Sequence, residues 1–532
     1  MNSMHPHHCV GKQRGAALMV MLVIIVVGGA ALLLSALNSS KVKLSRQDAT
    51  STALAQAKEA LIGRAVKDPE LPGSLPCPDI NDDGSAESTV SPTPGNCPSY
   101  IGRLPWKSLG LPDLRDGSGE RLWYVLSSSF RDYIASNPIN SDTTGNLTIN
   151  GNTSANNVVA IIFSAGNVLS GQSRSSTQTA LCATTSTTVT ENLCATNYLE
   201  GGNGNLNTLA NPNLAFQTNP SSDQFNDQII HITHTQLFTP VEMRIAREVK
   251  KCLDDYALAD GDKYPWASPD LTYTGVYAIQ FGWIPAVPNT ATSAGGSSYS
   301  TPAAQTLADA LNALQGALDA YNANPTATNK TALNNISSIV IGLKNSVAGV
   351  SSSTIDRAGD YGIFFANGAR TYSEATTKNN DAFSALNTAY PPTAASADAS
   401  MPNTSWNTIA SCNTLLNSSA YWANWKQSVF FKVANGYQPG SSASCNPGST
   451  CLTVNGSGNT TAGNHNDYRA TVIVARHAIS QTRPSANTAD YLEGNNFTQA
   501  IPNTFETYKS SDASYSTIND LVLCLDGKVN CK

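Results

Sequence analysis

Residues 12–37 of the chain read KQRGAALMVMLVIIVVGGAALLLSAL. A short basic segment is followed there by 22 uncharged and mostly apolar residues, from Ala16 to Leu37. An α-helix of that length rises about 30 Å, which matches the hydrocarbon core of a bilayer. A secretory signal peptide would have a shorter apolar region with a small-residue cleavage site on its far side. The pattern therefore predicts a transmembrane helix over residues 16–37 that is retained in the mature protein.

The order of a basic leader, a glycine and a retained apolar helix resembles the signal of type IV prepilins and pseudopilins. This resemblance implies that prepilin peptidase cuts after Gly15, removes the leader 1–15 and methylates Ala16. Family members usually carry Phe at the first mature position and Glu at the fifth, whereas this chain has Ala16 and Val20. In the family that Glu helps a new subunit to dock against the previous one. Its absence resembles the PilX-type minor pilins and the K-type pseudopilin, which lie at or near a filament tip.

The resemblance also implies a location and a set of partners. A pilin of this kind is a single-pass protein of the bacterial inner membrane, with a periplasmic or extracellular C-terminal region, and it enters a pilus or pseudopilus on assembly. Its partners would be prepilin peptidase, the inner membrane, and other pilins or pseudopilins that pack against the N-terminal helix. An ordinary single-pass anchor is the alternative interpretation of the same stretch.

The length and composition limit the number of domains and the classes of partner. The chain has 532 residues, which predicts two or three domains rather than one core. Charged residues make up only 13% of it, and the formal net charge is -6, with no basic cluster outside the leader. Nucleic acid is therefore not expected as a partner.

Cysteine usage predicts disulfide bonds. Of the 11 cysteines only Cys9 lies in the leader, so ten remain in the mature chain. An even number of cysteines in a chain that is expected to cross a membrane is typical of disulfide bonds in an oxidising compartment. The sequence does not fix the connectivity. Nearest-neighbour pairing would join Cys77 to Cys97, Cys182 to Cys194, Cys445 to Cys451 and Cys524 to Cys531, and would leave Cys252 for Cys412. A zinc site is disfavoured because the cysteines are scattered singly, without a C-x-x-C pair.

The residues after the apolar run continue a helical pattern. Residues 38–66 contain no proline, and Leu44, Leu54 and Leu61 keep a helical spacing. The first helix is therefore expected to continue until Pro72 ends it. A helix of this length resembles the long first helix of a pilin.

Short segments recur in the same order in the two halves of the chain. The matching pairs are 147–151 with 452–456, 158–163 with 470–474, 197–201 with 490–494, and 226–227 with 519–520. A second helix, predicted to begin with the capping box Thr-Pro-Val-Glu at Thr239, repeats the first. Each half thus consists of one helix, a proline-rich turn and several strands.

The predicted fold class is α+β, with a long N-terminal transmembrane helix followed by two tandem pilin-like domains, each a helix with an antiparallel sheet. The expected segments are the leader 1–15, the transmembrane helix 16–37, the first domain 38–238 and the second domain 239–532. The second domain alone carries a large insertion, 287–405, in which apolar spacings of three and four predict a helical hairpin over 302–350. That hairpin could pack on itself or offer a docking surface for a partner helix.

One loop has the spacing of a calcium site. Oxygen-bearing side chains stand at the first, third, fifth and ninth positions of an EF-hand-like loop, at Asp79, Asn81, Asp83 and Glu87. Gly84 allows the sharp turn, but Val90 replaces the bidentate Glu at the twelfth position. Ca²⁺ is therefore a possible cofactor, and the alternative is a plain Asx-rich turn closed by a disulfide.

Two arginine–glutamate pairs occupy corresponding places in the two halves. Arg174 with Glu200, and Arg483 with Glu493, are predicted to be structural ion pairs that tie a strand end to a turn. Duplication favours this interpretation, because an active site would rarely be copied while its surroundings changed so much.

The sequence does not predict an enzyme. His231 and His234 are three residues apart and would face opposite sides of a strand, which disfavours a shared metal. A hydrolase triad around His477 and Ser480 lacks the Gly-x-Ser-x-Gly elbow, and the sequence contains neither a Walker loop nor a dinucleotide fingerprint. No catalytic or cofactor-binding residue is assigned.

The leading hypothesis is a minor pilin or pseudopilin-like structural component of a type IV pilus or type II secretion-type filament, at the tip or in assembly initiation. The size of the chain favours a tip, because a large body subunit is hard to pack on a repeating lattice. The alternative is a pilin-anchored surface adhesin that mediates cell adhesion by binding a carbohydrate or another surface ligand. An anchored envelope enzyme is a third hypothesis.

Overall fold

The computed structural model describes these parts of the chain: residues 14–87, 97–133, 138–182, 188–204, 215–268, 271, 279–285, 301–391, 406–417, 419–441, 444–455, 466–484, 488–498, 501–507 and 518–525.

Strands and helices are grouped along these residues: nine strands follow the first helix, and six consecutive helices follow the tenth strand. The α-helices are α1 (Arg14–Lys67), α2 (His234–Ala259), α3 (Pro302–Ala323), α4 (Ala327–Gly342), α5 (Ser352–Ala366), α6 (Tyr372–Ala389), α7 (Ala410–Leu416), α8 (Ser419–Trp425) and α9 (Gly494–Thr498). The strands are β1 (Ile101–Arg103), β2 (Trp123–Leu126), β3 (Leu147–Gly151), β4 (Ala155–Val158), β5 (Ala160–Ser164), β6 (Thr179–Leu181), β7 (Thr188–Thr190), β8 (Ala215–Thr218), β9 (Gln228–Ile232), β10 (Phe281–Trp283), β11 (Val429–Val433), β12 (Thr453–Asn455), β13 (Ala470–Val474), β14 (Thr504–Glu506) and β15 (Leu521–Leu525).

The structure contradicts the predicted transmembrane helix over 16–37 and, with it, the expected single-pass location in an inner membrane. Within the described residues no helix has both the length and the apolar character that a membrane crossing requires. From Lys41 onward the helix carries charged side chains at several positions.

The C-terminal half of α1 packs on a sheet. Its buried apolar side chains recur at helical spacing and are all alanine or leucine: Ala53, Leu54, Ala57, Leu61 and Ala65. They face β5 and β9. The helix ends at Lys67, where Asp68 Oδ1 accepts hydrogen bonds from the N–H groups of Glu70 (2.9 Å) and Leu71 (2.7 Å). The chain therefore turns before Pro72 is reached.

Two four-stranded antiparallel sheets share one topology. The first has the strand order β1-β2-β5-β9, and the second has the order β10-β11-β13-β15. The registers correspond as well, since Ala160 pairs with Ile232 in the first sheet and Ala470 pairs with Leu525 in the second. We define the first lobe as α1 from residue 45 with the first sheet and its loops. The second lobe is α2 with the second sheet and its loops.

Each lobe also carries a parallel strand pair at the same point in its topology. Ile149 of β3 lies opposite Phe216 of β8, and Val454 of β12 lies opposite Phe505 of β14. The recurring sequence segments at 147–151 and 452–456 thus occupy equivalent strands.

The second helix repeats the packing of the first but begins earlier than predicted. Its buried stripe follows the α1 pattern 192 positions later, at Ile245, Ala246, Val249, Leu253 and Ala257. It begins at His234, because Thr233 and Gln236 form the capping box, and Pro240 lies inside the helix. Burial of Leu237 and Phe238 outweighs the single hydrogen bond that proline removes.

The predicted hairpin corresponds to α3 and α4, and two further helices extend it to a four-helix bundle. α3 and α4 pack together as expected, but α5 and α6 complete a separate apolar core with them. The sequence pattern of α5 is interrupted by Gly359 and Gly362, which are poor helix formers. Both glycines allow close packing, since a Cβ on Gly359 would lie 2.5 Å from the backbone oxygen of Ser337.

Candidate functional site

The N-terminal part of α1 exposes a continuous apolar surface. The side chains of residues 19–27 are all aliphatic or methionine, and each is between 57% and 75% exposed. Exposed apolar patches of this kind are typical of surfaces that bind another protein. The predicted processing residues Gly15 and Ala16 lie in the first turn of this helix, and residues 1–13 lie outside the described residues.

The predicted calcium loop is closed by internal hydrogen bonds. Asp79 Oδ1 accepts from the N–H groups of Asn81 (3.1 Å) and Asp82 (2.8 Å), and Asp79 Oδ2 accepts from Gly84 N–H (2.7 Å). Burial raises the pKa of Asp79 despite these donors.

The other predicted oxygen ligands are not gathered around Asp79 into a recognisable metal site. Asn81 Oδ1 accepts from Asp83 N–H at 2.9 Å, and burial raises the pKa of the Glu87 carboxyl. Across the described residues, no group of three or more His, Cys, Asp or Glu side chains is placed to hold a metal ion. Calcium binding stays a prediction from the loop spacing.

Four of the predicted disulfides are present. They join Cys77 to Cys97, Cys182 to Cys194, Cys252 to Cys412 and Cys445 to Cys451, with Cα–Cα distances of 5.4, 5.1, 4.6 and 4.9 Å. Cys252 lies in α2 and Cys412 in α7, so this pair ties the second lobe together across the insertion. The remaining predicted pair, Cys524 with Cys531, includes a residue outside the described ranges.

Arg174 and Arg483 make equivalent contacts, although their carboxylate partners differ. The Arg174 guanidinium lies 4.3 Å over the Tyr198 ring, and the Arg483 guanidinium lies 4.7 Å over the Tyr491 ring. Arg174 Nη1 also donates to Gly166 O at 3.0 Å. Both side chains therefore stack on a tyrosine that directly follows a 3-10 helix.

The predicted ion pairs are only partly found. Arg483 lies 3.6 Å from Glu493, as predicted. Arg174 instead pairs with Glu120 at 3.0 Å, while Glu200 Oε1 accepts a hydrogen bond from Gln172 Nε2 at 2.6 Å. The Glu200 carboxylate thus accepts a hydrogen bond from a neutral amide, whereas the sequence predicted an ion pair with the guanidinium of Arg174.

The unpredicted feature is a pair of facing carboxyl groups. Glu200 N–H donates to Asp227 Oδ2 (2.9 Å), and Asp227 N–H donates to Glu200 Oε2 (3.0 Å). Asn203 Nδ2 donates to the same Asp227 oxygen (2.9 Å). Its Oδ1 accepts from Gln217 N–H (2.8 Å) and so holds β8 to the pair.

The second lobe contains the same arrangement. Glu493 N–H donates to Asp520 Oδ2 (3.1 Å), and Asn496 Nδ2 donates to that oxygen (2.9 Å). Glu493 Oε2 accepts from Asn519 N–H (3.4 Å), and Asn496 Oδ1 accepts from Glu506 N–H of β14 (2.7 Å). In the sequence, the recurring Asn-Asp dipeptide before the last strand of each lobe indicated the aspartate of this pair. The glutamate of the pair was instead predicted to form an ion pair with an arginine.

These carboxyl pairs hold protons that ordinary carboxylates would lose. Burial, and then the facing Glu200 carboxylate, raise the pKa of Asp227 to about 8. Burial, and then Asp520, raise the pKa of Glu493 to about 9. Asp227 Oδ1 is buried without a hydrogen-bond partner among the described residues. All four residues are more than 90% buried. Their carboxyl groups can therefore hold loops together, but they are not accessible to a substrate.

A buried polar cluster joins the two lobes. Glu242 of α2 forms an ion pair with Arg476 and accepts a hydrogen bond from Ser141 Oγ of the first lobe (2.9 Å). His234 Nε2 lies 2.8 Å from Ser141 O, and burial lowers the pKa of His234 to about 4. Burial also raises the pKa of Glu242 despite its cationic partner.

Two of the histidines considered in the sequence, His234 and His477, lie in this junction. The His234 and His477 rings are 5.5 Å apart in the junction, and His234 begins α2 rather than ending a strand. Asn519 Nδ2 donates to His477 O at 2.7 Å. The junction thus fixes the lobes against each other through hydrogen bonds that are satisfied within the chain.

No protein-family model matches this chain, and comparison with curated proteins and with solved structures likewise gives no match.

Proposed function

We propose that the chain is a minor pilin or pseudopilin-like subunit of a type IV pilus or type II secretion-type filament, at its tip or in its initiation. The observation that supports this most is the exposed apolar run at 19–27 of α1. A helix with this surface gains stability by packing against similar helices, because association removes apolar area from water at about 25 cal/mol per Å². Filament formation through parallel helices would provide such contacts.

The lobes would stand outside the helical core of such a filament. Internal disulfides and the buried junction between Glu242 and Ser141 make them one bulky body, which favours an end position over a repeating one. The basic leader and Gly15 supply the processing signal that the resemblance implies.

The test is to identify the mature N-terminus. The full chain is produced with and without a prepilin peptidase, and its N-terminal peptide is identified by mass spectrometry. The proposal expects a methylated Ala16 terminus only when the peptidase is present, and loss of this processing in Gly15→Val. A terminus that is the same in both cultures would contradict it.

Processing alone does not prove assembly, so a second measurement is needed. Co-purification with pilin assembly proteins should be seen for the wild-type chain and lost in Gly15→Val. As the matched control, Gly11→Val changes a leader glycine four residues earlier and should retain both cleavage and co-purification.

A further inference from the structure

The two four-stranded sheets differ in one row of side chains. The corresponding rows cross all four strands and contain Ile101, Val125, Ile161 and His231 in the first sheet, and Phe281, Lys432, Thr471 and Cys524 in the second. Val125 and Ile161, in the middle of the first row, are buried in an apolar core. Lys432 and Thr471 take their places in the second row. An amine and a hydroxyl therefore replace two apolar side chains at the centre of the sheet.

The side chain of Lys432 lies among apolar groups. Phe430, two residues earlier on the same face of β11, is completely buried, and the Phe281 ring lies 5.9 Å from Lys432 Nζ. Within the described ranges the amine has neither a hydrogen-bond acceptor nor an ion-pair partner. Thr471 is fully buried, and its Oγ1 is also without a hydrogen-bond partner there. The fold thus contains an amine and a hydroxyl whose hydrogen-bonding capacity is unused.

These surroundings favour the uncharged form of the amine. Burial alone lowers the pKa of Lys432 to about 8. At pH 7 about 10% of such amines are unprotonated, compared with about 0.04% at the ordinary lysine pKa of about 10.4. Because Lys432 is partly exposed, a small molecule can reach it from solvent. An uncharged lysine amine in an apolar environment is a nucleophile towards carbonyl compounds.

We propose that Lys432 is a covalent attachment site for an apolar aldehyde. The lone pair of Nζ forms a bond to the carbonyl carbon, and the π electrons of the C=O bond move to the oxygen, which takes up a proton that the nitrogen loses. The resulting carbinolamine then loses its hydroxyl group and the remaining N–H proton as water. The product is an imine, in which a C=N bond joins the aldehyde carbon to the lysine.

The neighbouring residues determine the class of aldehyde. Phe281 and Phe505, whose ring centroids are 6.1 Å apart, belong to the apolar face on which Lys432 lies, and they favour an apolar substituent on the aldehyde carbon. Thr471 lies directly opposite Lys432 on the adjacent strand, where its Oγ1 can donate a hydrogen bond to the carbinolamine oxygen. This inference goes beyond the proposed function and does not depend on it.

The probe is benzaldehyde, with cyanoborohydride to reduce the imine to a stable benzylamine. The full chain is labelled at pH 7 in a mild detergent, and the rate at each lysine is measured by peptide mass spectrometry. We expect Lys432 to be labelled at least about tenfold faster than Lys426, which is also partly exposed and lies six residues earlier. With glyceraldehyde, a hydroxylated aldehyde, this ratio should be at least about threefold smaller, and an equal or larger ratio would overturn the apolar class.

Three variants complete the test. Lys432→Arg keeps the charge without the reactive amine and should remove this label while Lys426 is labelled as before. Thr471→Val removes only the hydroxyl and should slow the labelling of Lys432 about threefold, and an equal rate would overturn the part assigned to Thr471. Lys432→Met should keep or raise the thermal unfolding midpoint, because an unpaired amine does not stabilise the fold. A midpoint more than about 3 °C lower, or labelling of Lys432 no faster than that of Lys426, would overturn the proposal.

Discussion

Glu200 and Asp227 accept hydrogen bonds from each other's backbone N–H groups, at 2.9 and 3.0 Å. Two carboxyl groups brought together in this way repel each other when both are ionised, so the buried pair retains a proton. Glu493 and Asp520 repeat the relationship in the second lobe. Each lobe therefore closes its last strand with a proton-dependent contact.

The pH dependence of stability should reveal this proton. The pKa of Asp227 is raised to about 8, above the ordinary value of about 3.9. Its contribution to the free energy of unfolding is complete below about pH 4 and is lost as the pH rises towards 8. Asp227→Asn removes the titration, so we expect a flatter stability profile between pH 5 and 8, measured by chemical denaturation.

Two comparisons make this measurement specific. Asp223→Asn changes an exposed carboxylate nearby and should leave the profile of the wild type unchanged. The depressed pKa of His234, about 4, acts with the opposite sign as the pH falls below about 6.5, but it does so in all three proteins. Parallel profiles for wild type and Asp227→Asn would show that the proton is absent.

The junction between the lobes should be sensitive to loss of a single charge. Glu242→Gln leaves Arg476 buried without its carboxylate, since the two side chains are only 1% and 4% exposed. We expect a loss of about 3–5 kcal/mol in the free energy of unfolding, measured by denaturant titration. Lys378→Ala, which removes a surface ion pair with Asp381 in the bundle, should cost less than about 1 kcal/mol. Similar losses in the two variants would contradict a structural role for the buried pair.

Repeated sequence was the most useful guide to this fold. The segments 158–163 and 470–474 contribute to β5 and β13, central strands with matching registers. The buried positions of α1 and α2 also follow one pattern because both helices face a sheet of the same topology. Repeated segments predict the fold here because the helix and the sheet of each lobe must pack together in the same way.

Side-chain partners and helix bounds were less accessible to sequence reasoning. The partner of Arg174 is Glu120, more than 50 residues away, and only tertiary structure brings them together. Pro240 suggested a helix start, but burial of Phe238 extends α2 backward. The transmembrane prediction rested on the apolar residues 16–37, whereas none of the helices in the described ranges combines the length and the apolar character of a membrane span.

The disulfide between Cys252 and Cys412 should contribute more stability than the one between Cys182 and Cys194. The first closes 160 residues and the second closes 12, while all four cysteines are nearly fully buried. By loop-closure entropy, the long loop adds about 2 kcal/mol more. We expect Cys252→Ala/Cys412→Ala to lower the free energy of unfolding by that much more than Cys182→Ala/Cys194→Ala. Equal losses would show that residual structure in the unfolded chain already constrains the long loop.

The exposed run of α1 should govern association and leave folding unaffected. Leu22→Asp/Ile25→Asp places two charges on one face of residues 19–27, whose side chains are 57% to 75% exposed. In the filament that we propose, these charges would be buried between helices, so we expect sedimentation of assembled chains to be lost while the free energy of unfolding changes by less than about 0.5 kcal/mol. Leu44→Asp, at a residue that is 58% exposed further along the same helix, is the control and should retain the filament fraction. A filament fraction that persists in Leu22→Asp/Ile25→Asp would show that contacts elsewhere drive assembly.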